Sequence, residues 1–132
     1  MQRSHPGDPM NIPSNTVVLR GTIANEPTDR QLPSGVTVVQ FDLRTIVTGA
    51  DRSDTITVPL SWSDPTAAGR AAAVDGADVV VTGTVRRRFF RAGGQTQSRT
   101  EVVVDRLVPS RRTKSVRSLL AAVAADLTQD CG

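Results

Sequence analysis

Tyrosine is absent from this chain of 132 residues, and tryptophan, histidine and cysteine each occur once. A single thiol, Cys131, cannot build an intrachain disulfide framework or a thiolate metal site, which fits a reducing, cytoplasmic setting. The lone histidine, His5, has no second histidine or cysteine near it, so neither a zinc site nor a histidine base is expected. No glycine-rich phosphate loop or paired catalytic carboxylates can be read from the sequence. The expectation is therefore a protein that is not an enzyme and carries no metal or cofactor. No apolar run reaches membrane-spanning length, and the opening Met-Gln-Arg-Ser-His-Pro-Gly-Asp-Pro has no apolar signal region. A soluble protein without a membrane partner is expected.

Basic charge is what the chain does have, nearly all of it as arginine. Sixteen Lys and Arg against thirteen Asp and Glu give a formal net charge of +3. Between Asn15 and Pro109 eleven arginines face ten acids, whereas Ser110 to Gly132 holds four bases and two acids. So small an excess favours local phosphate contacts over a long-range steering field.

Residues 1–14, with Pro6, Gly7, Pro9 and Pro13, read as a disordered N-terminal arm. Residues 15–109 read as one domain, and residues 110–132 as a basic linker and helix. A first strand alternates Val17, Leu19, Gly21 and Ile23 against Val18, Arg20 and Thr22. A second, from Val36 to Val47, sets Thr37, Val39, Phe41, Leu43 and Thr45 inward, and Arg44 outward. A third, Asp54 to Trp62, places Ile56, Val58 and Leu60 inward, with Pro59 marking an edge or a bulge. Ser63-Asp64-Pro65 opens a short helix running from Ala67 to Val74. Asp78 to Phe90 and Ser98 to Pro109 then form a hairpin about Gly93-Gly94. Five strands with one helix between the third and fourth is the connectivity of an all-β OB-fold, a Greek-key barrel.

The aromatic residues are few, and two of them stand in that hairpin, within Arg86-Arg87-Arg88-Phe89-Phe90-Arg91. Positive charge interleaved with aromatic faces suits phosphates and unpaired bases. Alternation along a strand groups Arg86, Arg88 and Phe90 on an outward face. Phe89 follows the parity of Val79, Val81 and Val85 and is expected as a plug under the hairpin. Arg99 lies across from the basic strand, where it adds to the groove or pairs with Glu101 or Asp105. Arg20 and Arg44 have outward parity and suit phosphate contacts.

Three stretches resemble the bacterial single-stranded-DNA-binding protein (SSB) family: Asn15 to Pro27, Val39-Gln-Phe-Asp-Leu-Arg-Thr45, and Gly83 to Val104 closing with Thr-Glu-Val-Val-Val. The resemblance implies an OB-fold homotetramer that binds single-stranded DNA with little sequence preference, by stacking bases on aromatic side chains. It also implies a stacking role for Phe90 and makes Trp62 a second candidate. The inward parity of Trp62 argues for burial instead, and both readings stand at this point. The DNA-contact set is thus Arg20, Arg44, Trp62, Arg86, Arg88, Phe90 and Arg99. Roles in replication, repair or recombination are implied, with a location at the nucleoid.

Two features depart from the family pattern. Stacking aromatics are scarce, and the residues Asp126 to Gly132 lack the acidic tip that recruits partners. From Ser115, Val116, Leu119, Leu120, Val123 and Leu127 fall at helical spacing behind the basic run Arg111-Arg112-Thr-Lys114, which predicts an amphipathic helix. Its stripe is expected to dock on its own barrel, a sister subunit or a replication or repair protein. The alternative to DNA binding is an OB-fold oligomerisation or adaptor protein that uses this helix as its handle.

Overall fold

The computed structural model describes residues 14–128. Six strands and two helices follow in the order β1 (Val17–Ile23), β2 (Thr28–Gln31), β3 (Thr37–Thr48), β4 (Ser53–Ser63), α1 (Ala67–Ala72), β5 (Asp78–Ala92), β6 (Gln95–Pro109) and α2 (Thr113–Thr128). The strands lie in the order β1-β5-β6-β4-β3-β2, and a further β1–β3 pairing closes the first five into a barrel. Closure leaves these five without the unpaired edges that invite association. The expected OB-fold barrel is present, with its helix after β4.

The strand that periodicity did not anticipate is β2. Thr28-Asp-Arg-Gln is exposed along its whole length and has no apolar alternation. Its pairing with Gln40 to Thr37 of β3 makes it a strand, so it rides on the barrel rather than completing it.

Alternation places Ile23, Val39, Phe41, Leu43, Leu60, Val79, Val81, Val102 and Val104 in one buried core, and the register shift after Val104 in β6 brings Leu107 into it. Of the inward assignments, Ile23 on β1, Val39, Phe41 and Leu43 on β3, and Val79 and Val81 on β5 belong to this set, while Val17 and Leu19 pack half-buried against it. Ile56 and Val85 share the inward parity but are exposed. Both stand where their hairpins leave the barrel, and parity there no longer decides burial.

Pro59 causes no bulge. The β3–β4 register runs unbroken past it, with Asp42 opposite Pro59 and Val39 opposite Trp62. The Asp42 backbone points the other way: its N–H donates to Asn25 Oδ1 at 3.0 Å, and its carbonyl accepts from the Ala24 N–H at 2.8 Å. Proline therefore occupies a position where no ladder hydrogen bond is needed.

The true irregularity lies in β6. Thr82 pairs with Arg106 but Gly83 pairs with Val104, so Asp105 is the extra residue of a bulge. At Gly83 a Cβ would overlap the Val103 carbonyl oxygen. Gly83→Ala is expected to cost about 1–3 kcal/mol, because the obstacle is backbone and cannot rotate away. Urea unfolding of the variant beside the parent protein measures this, and equal midpoints would refute it.

Helix α1 is capped by Thr66, whose Oγ1 accepts from the Gly69 N–H at 3.1 Å, rather than by Ser63 or Asp64. It stops at Ala72, two residues short of the expected end, where the Ala73 N–H turns back to the Arg70 and Gly69 carbonyls. Helix α2 packs on its own barrel. It buries Leu119, and its Val123 and Asp126 stand beside Thr82, Thr84 and Val103. That contact explains why Val80 and Thr82, of outward parity, are also buried.

Candidate nucleic-acid interface

Beyond Gly83, β5 loses its pairing with β1, and before Val102, β6 has none with β4. The remaining turns of ladder, Arg86 to Ala92 against Gln95 to Glu101, pair only with each other and project from the barrel. Gly93 and Gly94, at φ 61 and 80, close the hairpin as a two-residue turn of the kind that matches strand twist.

Cross-strand partners share a face. One face of the projection holds Arg86 opposite Glu101, Arg88 opposite Arg99, and Phe90 opposite Gln97. The other holds Arg87 opposite Thr100, Phe89 opposite Ser98, and Arg91 opposite Thr96. Phe89 is 66% exposed and Phe90 39%. The expectation that Phe89 plugs the hairpin from below is thus overturned, because no second layer lies beneath a ribbon that has left its barrel.

The two faces differ in charge. Glu101 is buried and accepts from Arg86 Nη2 at 2.6 Å, while Arg88 Nη1 stands 3.9 Å from its other oxygen. A carboxylate so far removed from water needs such a cationic partner, and the short contact is a charge-assisted hydrogen bond. Arg99 Nη2 lies 4.0 Å from Asp42, which also accepts from Asn25 Nδ2 at 3.2 Å. Arg99 was expected to pair with Glu101 or Asp105 if it paired at all. The partner is Asp42 instead, because the outward faces of β3 and β6 both line a pocket of about 260 Å³ with Asn25, Gln40 and Pro59. Three arginines therefore meet two carboxylates on this face.

No carboxylate partners the other face among the described residues. Arg87 Nη2 donates to Ser98 Oγ at 3.2 Å and Arg91 Nη2 to the Gly94 carbonyl at 3.1 Å, both neutral acceptors. These bonds orient the guanidinium groups and leave their charge uncompensated on either side of Phe89.

The single-strand binding protein family model matches residues 14–110, which take in the whole barrel and this hairpin. The chain belongs to the single-strand binding protein family. Among solved structures, the Plasmodium falciparum SSB complex with ssDNA superposes with a TM-score of 0.66 at 22% sequence identity, covering 75% of this chain and 96% of that one. At that identity the likeness speaks for the fold. No curated protein sequence matches the chain.

Around this SSB-family barrel the other candidate residues fall into separate places. Arg44 is exposed on β3, two residues along the same outward face from Asp42. Arg20 pairs with Asp78 at 3.4 Å, at the opposite end of β5. Eight residues of extended strand, roughly 26 Å, separate its partner position Val80 from Arg88. The structure brings together Arg86, Arg88, Phe90 and Arg99; Arg20 is remote from these and stands beside Arg44, since Thr22 pairs with Arg44 and Thr45 Oγ1 donates to the Arg20 carbonyl at 2.9 Å.

Trp62 is buried at 4% exposure and packs on α1, where a Cβ on Gly69 would overlap its ring. Of its two readings the structure shows burial: with no bulge at Pro59, the inward parity of Leu60 carries through to Trp62. An enclosed indole offers no face to a base. Sequence reasoning passed over Glu101 as a buried counter-ion and Arg87, Phe89 and Arg91 as an exposed face. The signal for the first was a glutamate on the same face as two arginines of the neighbouring strand.

No helix among the described residues is long and apolar enough to cross a membrane. No cluster of metal-ligating side chains occurs among them either.

Proposed function

We propose that this SSB-family protein binds single-stranded DNA non-enzymatically and with little sequence preference, in replication, repair or recombination, using the projecting β5–β6 hairpin as its main contact. The observation that carries this reading is two exposed phenylalanines on opposite faces of one ribbon, each flanked by arginine. Base stacking is indifferent to base identity because every base has a π-face, and arginine supplies the phosphate contact. The groove of Arg86, Arg88, Phe90 and Arg99 takes one stretch of the strand, and Arg87, Phe89 and Arg91 take another. Assembly into a homo-oligomer, four subunits by family likeness, would place several hairpins on one strand and raise the avidity.

The charge asymmetry makes the reading testable by salt. Each phosphate neutralised on a single strand contributes about −0.7 to the slope of log K against log salt. Replacing Arg87 and Arg91 by alanine is expected to flatten that slope by about 1.4, since neither guanidinium is compensated by an acid. Arg86→Ala should flatten it by clearly less, because Glu101 already holds that charge. Fluorescence anisotropy of a labelled oligothymidine across a salt series reads both. Absence of binding at low salt would remove the proposal and favour the oligomerisation or adaptor reading.

A further inference from the structure

A cavity of about 850 Å³ lies far from the hairpin, where α1, the paired ends of β5 and β6, and the start of α2 meet. Its floor is apolar: Ala68 and Ala72 from α1, Val74 beyond it, and Leu107 and Pro109 from β6. Val74 is among the exposed large hydrophobic residues, so this floor lies open to solvent. The rim is cationic, with Arg20, Arg111 and Arg112. Arg20 shares its charge with Asp78, but Arg111 and Arg112 make no ion pair among the described residues. No Asp or Glu occurs between Ser110 and Ala125 to offset them.

The turn that carries these arginines is fixed rather than loose. The Ser110 N–H and Oγ both donate to the Asp78 carbonyl at 3.0 Å, and the Arg112 N–H donates to the Pro109 carbonyl at 3.1 Å. The Val116 N–H in turn donates to the Arg112 carbonyl at 2.9 Å. A rim held this way loses little freedom when it binds.

We propose that this groove docks a short acidic peptide of another protein, its apolar side chains on the alanine, valine and leucine floor and its carboxylates on Arg111 and Arg112. The chemistry of the lining selects this occupant. No aromatic residue lines the groove, so nothing there stacks a base, and a bare apolar floor gains nothing from a sugar-phosphate chain. A concave apolar surface with a few placed charges is what a peptide anchor requires. Eleven residues of extended strand, roughly 36 Å, separate Val79 beside the groove from Phe90, so a peptide here leaves the hairpin free.

The experiment uses the full chain and a short labelled peptide of alternating aspartate and leucine, with the asparagine-leucine version as control. The acidic peptide is expected to bind, and Arg111→Ala with Arg112→Ala to weaken it about tenfold or more. Ala68→Glu, an exposed helix position that tolerates the change in folding, should abolish binding by placing a carboxylate on the floor. Oligothymidine affinity should be unchanged in both variants, which keeps this proposal separate from the hairpin reading. Equal binding of the two peptides, or undiminished binding to the Ala68→Glu protein, would overturn it. Loss of oligothymidine binding in the arginine variant would also overturn it, by making the groove a nucleic-acid contact.

Discussion

Replacing Phe89 and Phe90 together by alanine is expected to lower the affinity for oligothymidine by at least about thirtyfold, since each stacked base is worth about 1–3 kcal/mol. No other exposed aromatic among the described residues can take over, because Phe41 and Trp62 are both in the core. Phe89→Ala alone should cost more than Phe90→Ala. Phe89 is the more exposed ring, and its neighbours Arg87 and Arg91 have no acidic partner among the described residues, whereas Arg86 and Arg88 are paired with Glu101. Neither ring supports the barrel, so the double variant should unfold within about 0.5 kcal/mol of the parent protein. Anisotropy titration and urea unfolding on the same preparation separate the two quantities. A binding loss accompanied by an equal loss of stability would show that the hairpin phenylalanines are structural.

Trp62→Ala is expected to act in the opposite way, costing about 3–5 kcal/mol of stability. The stability of a domain is only about 5–15 kcal/mol, so much of the population would unfold under mild denaturant. The indole fills the space between β4 and α1 against Gly69, and α1 has only six residues with which to hold itself in place. Helices this short are not stable alone, so α1 depends on that contact. The same burial predicts the spectroscopy. Trp62 emission in the native protein should be blue-shifted, and saturating oligothymidine should leave it unquenched while the anisotropy of a labelled strand rises. Strong quenching by DNA, together with a Trp62→Ala protein of undiminished stability, would put the indole on the binding surface.

The buried Glu101 bears on how the family's chemistry is tuned in this chain. A strand that reads as a run of bare positive charge is in fact partly neutralised by an acid of its own hairpin partner, and Asp42 does the same for Arg99. Fixed guanidinium groups lose less freedom on meeting phosphate, but their net charge is smaller. Binding on that face should therefore respond weakly to salt, with the salt-sensitive part coming from Arg87 and Arg91.

Periodicity alone located the barrel strands, and Val39, Phe41 and Leu43 on β3 and Val79 and Val81 on β5 follow it into the core. On the core side alternation maps onto burial, whereas on the far side Val38, Val80 and Thr82 are buried as well, the last two beneath α2. The arginine and phenylalanine composition of Arg86 to Arg91 was enough to mark the hairpin as the candidate contact. Its division into faces was also legible, since alternation is a local property. Which face was free was not legible. That depended on β1 and β4 ending their pairing before Arg86, and on Glu101 and Asp42 arriving from other strands. The same limit applies to β2, an exposed polar tetrapeptide made into a strand only by its neighbour, and to α2, whose dock on β5 and β6 no helical period specifies. The chain by itself determined the order of the five barrel strands and two helices, the family likeness and the chemistry available to touch DNA, because these are properties of short segments. Only the tertiary structure decided that Trp62 is buried, that Phe89 is exposed and which hairpin arginines are paired with an acid, because burial and pairing depend on what segments distant in sequence place against each residue.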